Sequence, residues 1–515
     1  MASQDAVRTL SPCPRAGEHQ AYRPRAAERG ILYTIVREHL ETFLREAAQR
    51  AEGTGLPDFV EKEFRDFLTC GILAHGFARV RCDHCAFERL VPFSCKGRGF
   101  CPSCGGRRMT ERAAHLVDEV LPGVPVRQWV LSLPHRLRYL LAWNHALCRA
   151  VLGVYVRALL GFQRSQARGR GLRDGQAGSV TVIQRFGGGL NLNIHFHTLV
   201  LDGVFTESET GVLRFHPAPP PSDEEVARLL ATIRTRVRRL LARRGLEPQN
   251  TDLVADDPLA EESLALAGIA SASVQGRVSL GRRAGARVLR LGRNPDAPWV
   301  SSTGPRQAHF EGFDLHANLF VPAEDRARLE QLCRYLLRPP VAQDHLRLTG
   351  DGRIRLELKS AWHDGTGHLL FEPMELLEKL AALTPRPRVN LVLYHGVLAP
   401  HARWRHRAAA YEDSGVPQET PAAEPGARGV AEFQKEAPGK PRYWTWADLM
   451  RRAFELDVLA CPRCGGRMRL IATIEDSRVI RQILAHLGLP TEGSDPFPFR
   501  SPPGATTDLF SDLPA

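Results

Sequence analysis

Residues 190–201 read LNLNIHFHTLVL. Asn191, Asn193, His195 and His197 alternate with Leu192, Ile194 and Phe196. A strand sends successive side chains to opposite faces, so one face is apolar and the other carries two imidazoles. At the rise of a strand the two histidine Cα atoms lie about 7 Å apart, which lets both rings reach one cation. The same pair also fits ordinary cross-strand pairing, and the spacing alone leaves both readings open.

Around this run the pattern is that of a mixed fold. Ser179–Phe186 and Leu190–Phe205 both read as strands, and Gly187, Gly188 and Gly189 between them predict a hairpin. Val126–Leu133 predicts a strand ended by Pro134, and Leu140–Phe162 has helical periodicity. Helices are also expected over Ile31–Arg50, Phe59–Leu68, Asp223–Arg244 and Pro373–Leu383. Residues 270–320 alternate in a way that predicts short strands, among them Arg277–Leu280 and Arg287–Leu291, and Arg353–Leu358 predicts another.

Ala323–Arg338 predicts a helix stopped by Pro339 and Pro340. Leu329, Leu332 and Leu336 share one face, and Tyr335 lies beside it with Arg334 and Arg338 as neighbours. A helical tyrosine is commonly half-buried packing. A catalytic role needs the phenol near a polarised phosphodiester, with arginines to hold the backbone and offset negative charge.

Cysteine spacing supplies the strongest local signal. Cys82-x2-Cys85 is followed after fifteen residues by Cys101-x2-Cys104, the layout of a zinc ribbon. Each C-x-x-C turn places two thiolates on one edge of a tetrahedron, and a second turn closes it at about 2.3 Å per sulfur. Cys70 or Cys95 can replace one of the four, and free or redox thiols are the competing reading. A closed four-sulfur site is structural, so this module is expected to present Lys96, Arg98, Arg107 and Arg108 to phosphate. Cys461-x2-Cys464 is a further knuckle without an obvious partner in sequence. His486, a second subunit or no metal at all fits it equally.

The chain has 515 residues, with 69 Lys plus Arg against 57 Asp plus Glu, a net charge of +12. A basic excess points to a polyanionic partner, usually nucleic acid, without identifying it. No continuous apolar run of about 18 residues predicts a membrane span. The first thirty residues hold no apolar segment of the secretory kind, so the bacterial cytoplasm is the expected compartment. The expected organisation is a disordered stretch at 1–29, a helical and zinc-binding domain at 30–112, and a catalytic domain at 113–410. A linker at 411–441, a small C-terminal module at 442–490 and a disordered tail at 491–515 complete it.

These pieces resemble a known family. HFH at 195–197 fits the His-hydrophobe-His motif of HUH nucleases. NLNIHFHTLVLDGVF, RYLLRPPVAQDHLRL, DGTGHLLFEP and PRVNLVLYHGVLAPHARWR, in that order, look like a rolling-circle insertion-sequence transposase of the IS ninety-one-like group. SCKGRGFCPSCGGRRM at 94–109 resembles that group's N-terminal zinc-binding domain. The resemblance implies an α+β fold: an HUH-type antiparallel sheet flanked by helices, with an N-terminal zinc-ribbon-like module and a small C-terminal module. It implies that His195 and His197 bind Mg or Mn, and that Tyr335 attacks the scissile phosphate to form a 5′-phosphotyrosine link. Zinc is implied as the structural metal, and single-stranded and duplex DNA at element ends as partners, with no nucleotide cofactor. Positions one turn from Tyr335 are Gln331 and Pro339, which implies a single-tyrosine enzyme. Asp202 and Gln184 are candidates for a third metal ligand, and His363, Asp364 and His368 can line the site. An HUH replication initiator or relaxase would use the same residues, whereas a non-catalytic zinc-ribbon DNA-binding protein would not need Tyr335.

Overall fold

A computed structural model describes residues 27–50, 53, 55–246, 257–294, 304–412 and 445–492. The disordered segments and the linker expected from sequence lie almost wholly outside these residues.

The histidine strand spans Leu192–Leu201 and sits inside an antiparallel sheet. Its neighbours are Gly178–Phe186 on one side and Val126–Ser132 on the other. Val392–Gly396 adds beyond Gly178–Phe186, while Phe313–His316 and then Gln307–Phe310 extend the opposite edge. The predicted hairpin is present, with Gly187 N–H donating to Asn191 O at 2.9 Å across the turn.

Both faces of this sheet are covered, which explains why alternation fades toward Leu199, Val200 and Leu201. On one face Leu192, Ile194, Phe196 and Val200 join the main core. There the long helix His145–Gly169 packs, with Tyr155 stacked on Phe196 at 6.1 Å. This is the one helix among the described residues long and apolar enough to cross a membrane; over half of its apolar window is buried in the protein interior. The sequence read it as one segment from Leu140, but Asn144 separates it from His135–Trp143 and caps its start by accepting from Leu147 N–H.

On the other face lies the tyrosine helix, Arg326–Leu337. Its Leu329, Leu332 and Leu336 share a buried cluster with Val182 and Leu199 of the sheet. Asp325 caps it by accepting from Arg328 N–H at 3.0 Å. Arg338 then turns extended, as the residue before a proline prefers.

Residues 270–320 depart from expectation. Leu264–Val274 is a helix whose buried side chains lie almost all around it, so it carries no amphipathic stripe to read. Arg277–Leu280 forms no strand, only an isolated bridge from Arg277 to Arg287. Leu289–Leu291 does pair, within a four-stranded sheet that also contains Leu346–Leu348, Ile354–Glu357 and His368–Phe371.

The largest departure concerns the domain plan. The C-terminal strand Met468–Ile474 pairs antiparallel with Phe77–Cys82, which also pairs with Glu88–Pro92. The residues expected to form a separate module at 442–490 therefore share a sheet with the N-terminal zinc-binding region. The boundary set at 112 also falls within the continuous helix Pro102–His115.

Candidate active site and thiolate clusters

Register places the polar neighbours of the histidine pair. His195 lies opposite Ser132 on one side and Gln184 on the other, and His197 lies opposite Val130 and Val182. Directly opposed residues share a face, so Gln184 stands on the histidine side of the sheet. The two imidazoles meet edge to face at 4.8 Å between ring centroids.

Each ring is oriented through Nδ1. His195 Nδ1 lies 2.9 Å from Asn193 O. A carbonyl can only accept, so Nδ1 carries the proton and the Nε2 lone pair is left for a ligand. His197 Nδ1 lies 2.8 Å from Gln128 Nε2, a donor, which as placed leaves the ring proton on Nε2. The two ends of an amide are interchangeable by rotation, and with its oxygen turned to Nδ1–H the second Nε2 is also freed. Burial, above all, pushes His195 down to about 4 and His197 well below its usual value, with Arg338 lowering both further. Both rings are thus neutral near pH 7, the form that ligates a metal.

The tyrosine helix ends beside this pair. Gln184 Nε2 donates to Leu336 O at 3.2 Å, fastening the residue after Tyr335 to the strand position opposite His195. Tyr335 is half-buried. The Arg338 guanidinium lies 4.1 Å from its ring centroid and Lys359 Nζ 4.6 Å. Arg338 also spans to Phe186 at 5.2 Å and donates to Tyr335 O at 2.7 Å. Arg338 thus lies against the Tyr335 ring and near enough to both imidazoles to lower their pKa values.

Asp202 does not belong to it. Its carboxylate is held by buried Arg127, with Nη2 at 2.8 Å from Oδ2 and Nε at 3.1 Å from both oxygens. Asp364 is likewise engaged, by Arg290 at 3.3 Å and the Thr366 N–H at 3.1 Å. His368 lies on the separate four-stranded sheet and His363 on the loop leading to it. Among the described residues, the groups of three or more His, Cys, Asp or Glu placed to hold an ion are two thiolate clusters. Amides, Gln184 and Gln128, are what the histidine pair has beside it.

The cysteines group differently from the expectation of one site at Cys82, Cys85, Cys101 and Cys104. Cys101 and Cys104 join Cys70 and Cys95, and Cys82 and Cys85 join Cys461 and Cys464. Spacing predicts which thiols form a knuckle, whereas its partners are decided by the tertiary fold, for Cys82 and Cys85 by the pairing of Phe77–Cys82 with Met468–Ile474. In the first cluster Cys104 Sγ lies 3.5 Å from Cys95 and 3.7 Å from Cys70, and Cys101 lies 3.6 Å from Cys70. Such separations exclude a disulfide and match the edge of a sulfur tetrahedron around zinc, about 3.8 Å. Gly97 N–H donates to Cys95 Sγ at 3.3 Å.

This first cluster lies at the start of the helix Pro102–His115, which packs against the tyrosine helix. At Gly105 a Cβ would meet Pro339 Cβ at 2.6 Å, so the glycine admits the segment that follows the tyrosine helix. Between the two elements runs a cleft lined by Arg98, Arg108, Arg112, Arg185 and Arg338. Arg185 Nη1 donates to Ala142 O at 2.7 Å and the guanidinium lies over the Trp143 ring at 5.0 Å, while its Nε and Nη2 are buried without a hydrogen-bond partner. Of the arginines singled out from sequence, Arg98, Arg108 and Arg338 line this cleft. Arg107 is exposed, and Arg334 is paired with Glu330 on its own helix. Gln128, Arg112, Arg185 and Lys359 were not legible in sequence, since strand register and helix docking bring them in.

Fold and thiolate clusters together define a basic α+β protein whose sheet is braced by a structural-metal module. Residues 178–406 match the family described as "Putative transposase", and residues 35–133 match the transposase zinc-binding domain. The chain thus carries two domains of transposase type, the zinc-binding one preceding the transposase domain. DNA is accordingly its partner, and zinc the metal of its thiolate module. No curated protein and no solved structure matches the chain.

Proposed function

We propose that this transposase nicks and rejoins single-stranded DNA at the ends of an insertion sequence through a covalent tyrosine intermediate. The observation that carries the reading is the seating of the tyrosine helix on the histidine face, with Gln184 tying Leu336 to the strand opposite His195.

Tyr335 Oη attacks the scissile phosphorus, and a tyrosyl 5′-phosphodiester forms as the bond to the 3′-oxygen breaks. The phenol proton is lost and the departing 3′-oxygen gains one, so a free 3′-hydroxyl is released. Attack of a 3′-hydroxyl on the tyrosyl ester reverses the step and rejoins a strand without a nucleotide cofactor. His195 and His197 would hold a divalent ion, Mg or Mn, with Gln184, opposite His195 on the same face, as a further donor. Such an ion, when bound, supplies Lewis-acid polarisation of the phosphate. Arg338 and Lys359 hold positive charge beside the phenol, where a phosphate would be gripped and oriented.

Incubation with single-stranded element ends and Mg or Mn is expected to give a denaturation-resistant protein–DNA adduct. Tyr335→Phe should bind the same DNA and give none. His195→Ala and His197→Ala should also give none while melting near the wild type. An adduct surviving in Tyr335→Phe would remove the assignment of the nucleophile.

A further inference from the structure

We propose that the C-terminal module is a zinc clasp: Cys461 and Cys464 complete a second four-thiolate site with Cys82 and Cys85. The clasp holds Arg452 against the tyrosine helix. Neither family match reaches beyond residue 406, so nothing in them assigns the C-terminal pair.

Geometry supports a metal rather than a disulfide. Cys82 Sγ lies 3.5 Å from Cys464, and Cys85 Sγ lies 3.6 Å from Cys461. A disulfide needs about 2.05 Å, whereas sulfurs 2.3 Å from one zinc in a tetrahedron sit about 3.8 Å apart. Both knuckles also have the tight turn that this chemistry requires. Ala86 N–H donates to Cys82 O at 3.2 Å and Gly465 N–H to Cys461 O at 2.9 Å. The residue after each pair, Ala86 or Gly465, has positive φ. His84 N–H donates to Cys82 Sγ at 3.4 Å.

The site is locked in place by its surroundings. The strand Met468–Ile474 runs beside Phe77–Cys82 with Met468 opposite Cys82. Ile480 and Leu484 bury against Phe77, so the module's small core is shared with the N-terminal region. A module of this size has too little core to fold alone, and a metal is the usual remedy.

From this clasp the helix Trp446–Phe454 projects Arg452 toward the transposase domain. Arg452 Nη2 lies 3.0 Å from Asp118 Oδ1 and 2.8 Å from Glu330 Oε2. Asp118 follows the helix that starts at the first thiolate cluster, and Glu330 is on the tyrosine helix. One guanidinium thus joins three parts of the chain, and Arg452 is a positioning residue for the helix bearing Tyr335. The zinc site stands independently of DNA cleavage. Only the description of the braced helix as nucleophile-bearing rests on the proposed reaction.

Zinc counting and hydrogen exchange on the full-length protein test this without an activity readout. Elemental analysis of the purified wild type should give two zinc per chain. Cys461→Ser/Cys464→Ser should give one, Cys82→Ser should lose that same equivalent, and the triple variant should lose no more. One zinc in the wild type, or two in the double variant, would overturn the clasp. Arg452→Ala should keep both zinc ions, yet raise amide exchange in residues 326–337 about tenfold, as expected when charge-assisted bonds anchoring an element are lost. The zinc-deficient double variant should show the same rise. Unchanged exchange in both would overturn the brace while leaving the metal count to stand or fall by itself. Should serine variants fail to fold, two equivalents of tetrathiolate-type absorption in cobalt-substituted wild type test the same site, and a single equivalent overturns it.

Discussion

Asp202 is the residue whose removal tests the site assignment most sharply, because sequence offered it as a metal ligand and the fold gives it a different task. Its carboxylate forms three contacts with Arg127 between 2.8 and 3.1 Å. The two side chains are only 2% and 5% exposed. Asp202→Ala leaves Arg127 buried, with Ala317 O at 3.2 Å as its remaining hydrogen-bond acceptor. Breaking a buried pair by removing one partner costs about 3–5 kcal/mol. For a domain of about 150–250 residues each kcal/mol moves melting by roughly 2–4 °C, so a fall of about 6–20 °C is expected. Replacing both members, Arg127→Met with Asp202→Leu, removes the orphaned charge and should recover most of that loss. Differential scanning fluorimetry of the single and double variants, with and without Mn, reads the effect directly. If Asp202→Ala melts within about 2 °C of wild type, less than one kcal/mol by the same conversion, the pair is not structural. If it also loses the DNA adduct, Asp202 returns as a ligand.

Gly105→Val places side-chain atoms against Pro339 and should cost about 1–3 kcal/mol of stability through overpacking; an unchanged melt would show that the helix Pro102–His115 does not meet the segment after the tyrosine helix. Gln128→Leu should leave the fold intact and weaken metal dependence of the adduct about 10–100-fold, as loss of a ligand-orienting partner does; an unaltered Mn titration would remove Gln128 from the site. Cys101→Ser should destabilise the N-terminal region severely, since structural zinc contributes on the order of 10 kcal/mol in small modules, and intact protease resistance after zinc loss would argue against that role. Arg112→Ala should lower the slope of log affinity against log salt for single-stranded DNA by about 0.7, one phosphate contact; an unchanged slope would place the strand elsewhere.

Much of this protein was legible in sequence because local rules sufficed. Period-two alternation identified the histidine strand, three glycines its hairpin, and two prolines the end of the tyrosine helix. Local rules failed at Leu264–Val274, where burial on nearly every side erases the stripe that marks a helix. They also could not pair the knuckles. A C-x-x-C turn is fixed by a few consecutive residues, and its chemistry shows in the string itself. Its partner is chosen by strand pairing across 376 to 382 residues, which no local pattern encodes. The same holds for Asp202, Gln128 and Arg452. Sequence supplied their charges and donors, and only the folded register decided that one is locked to Arg127, one orients His197, and one ties the chain's far end to the tyrosine helix.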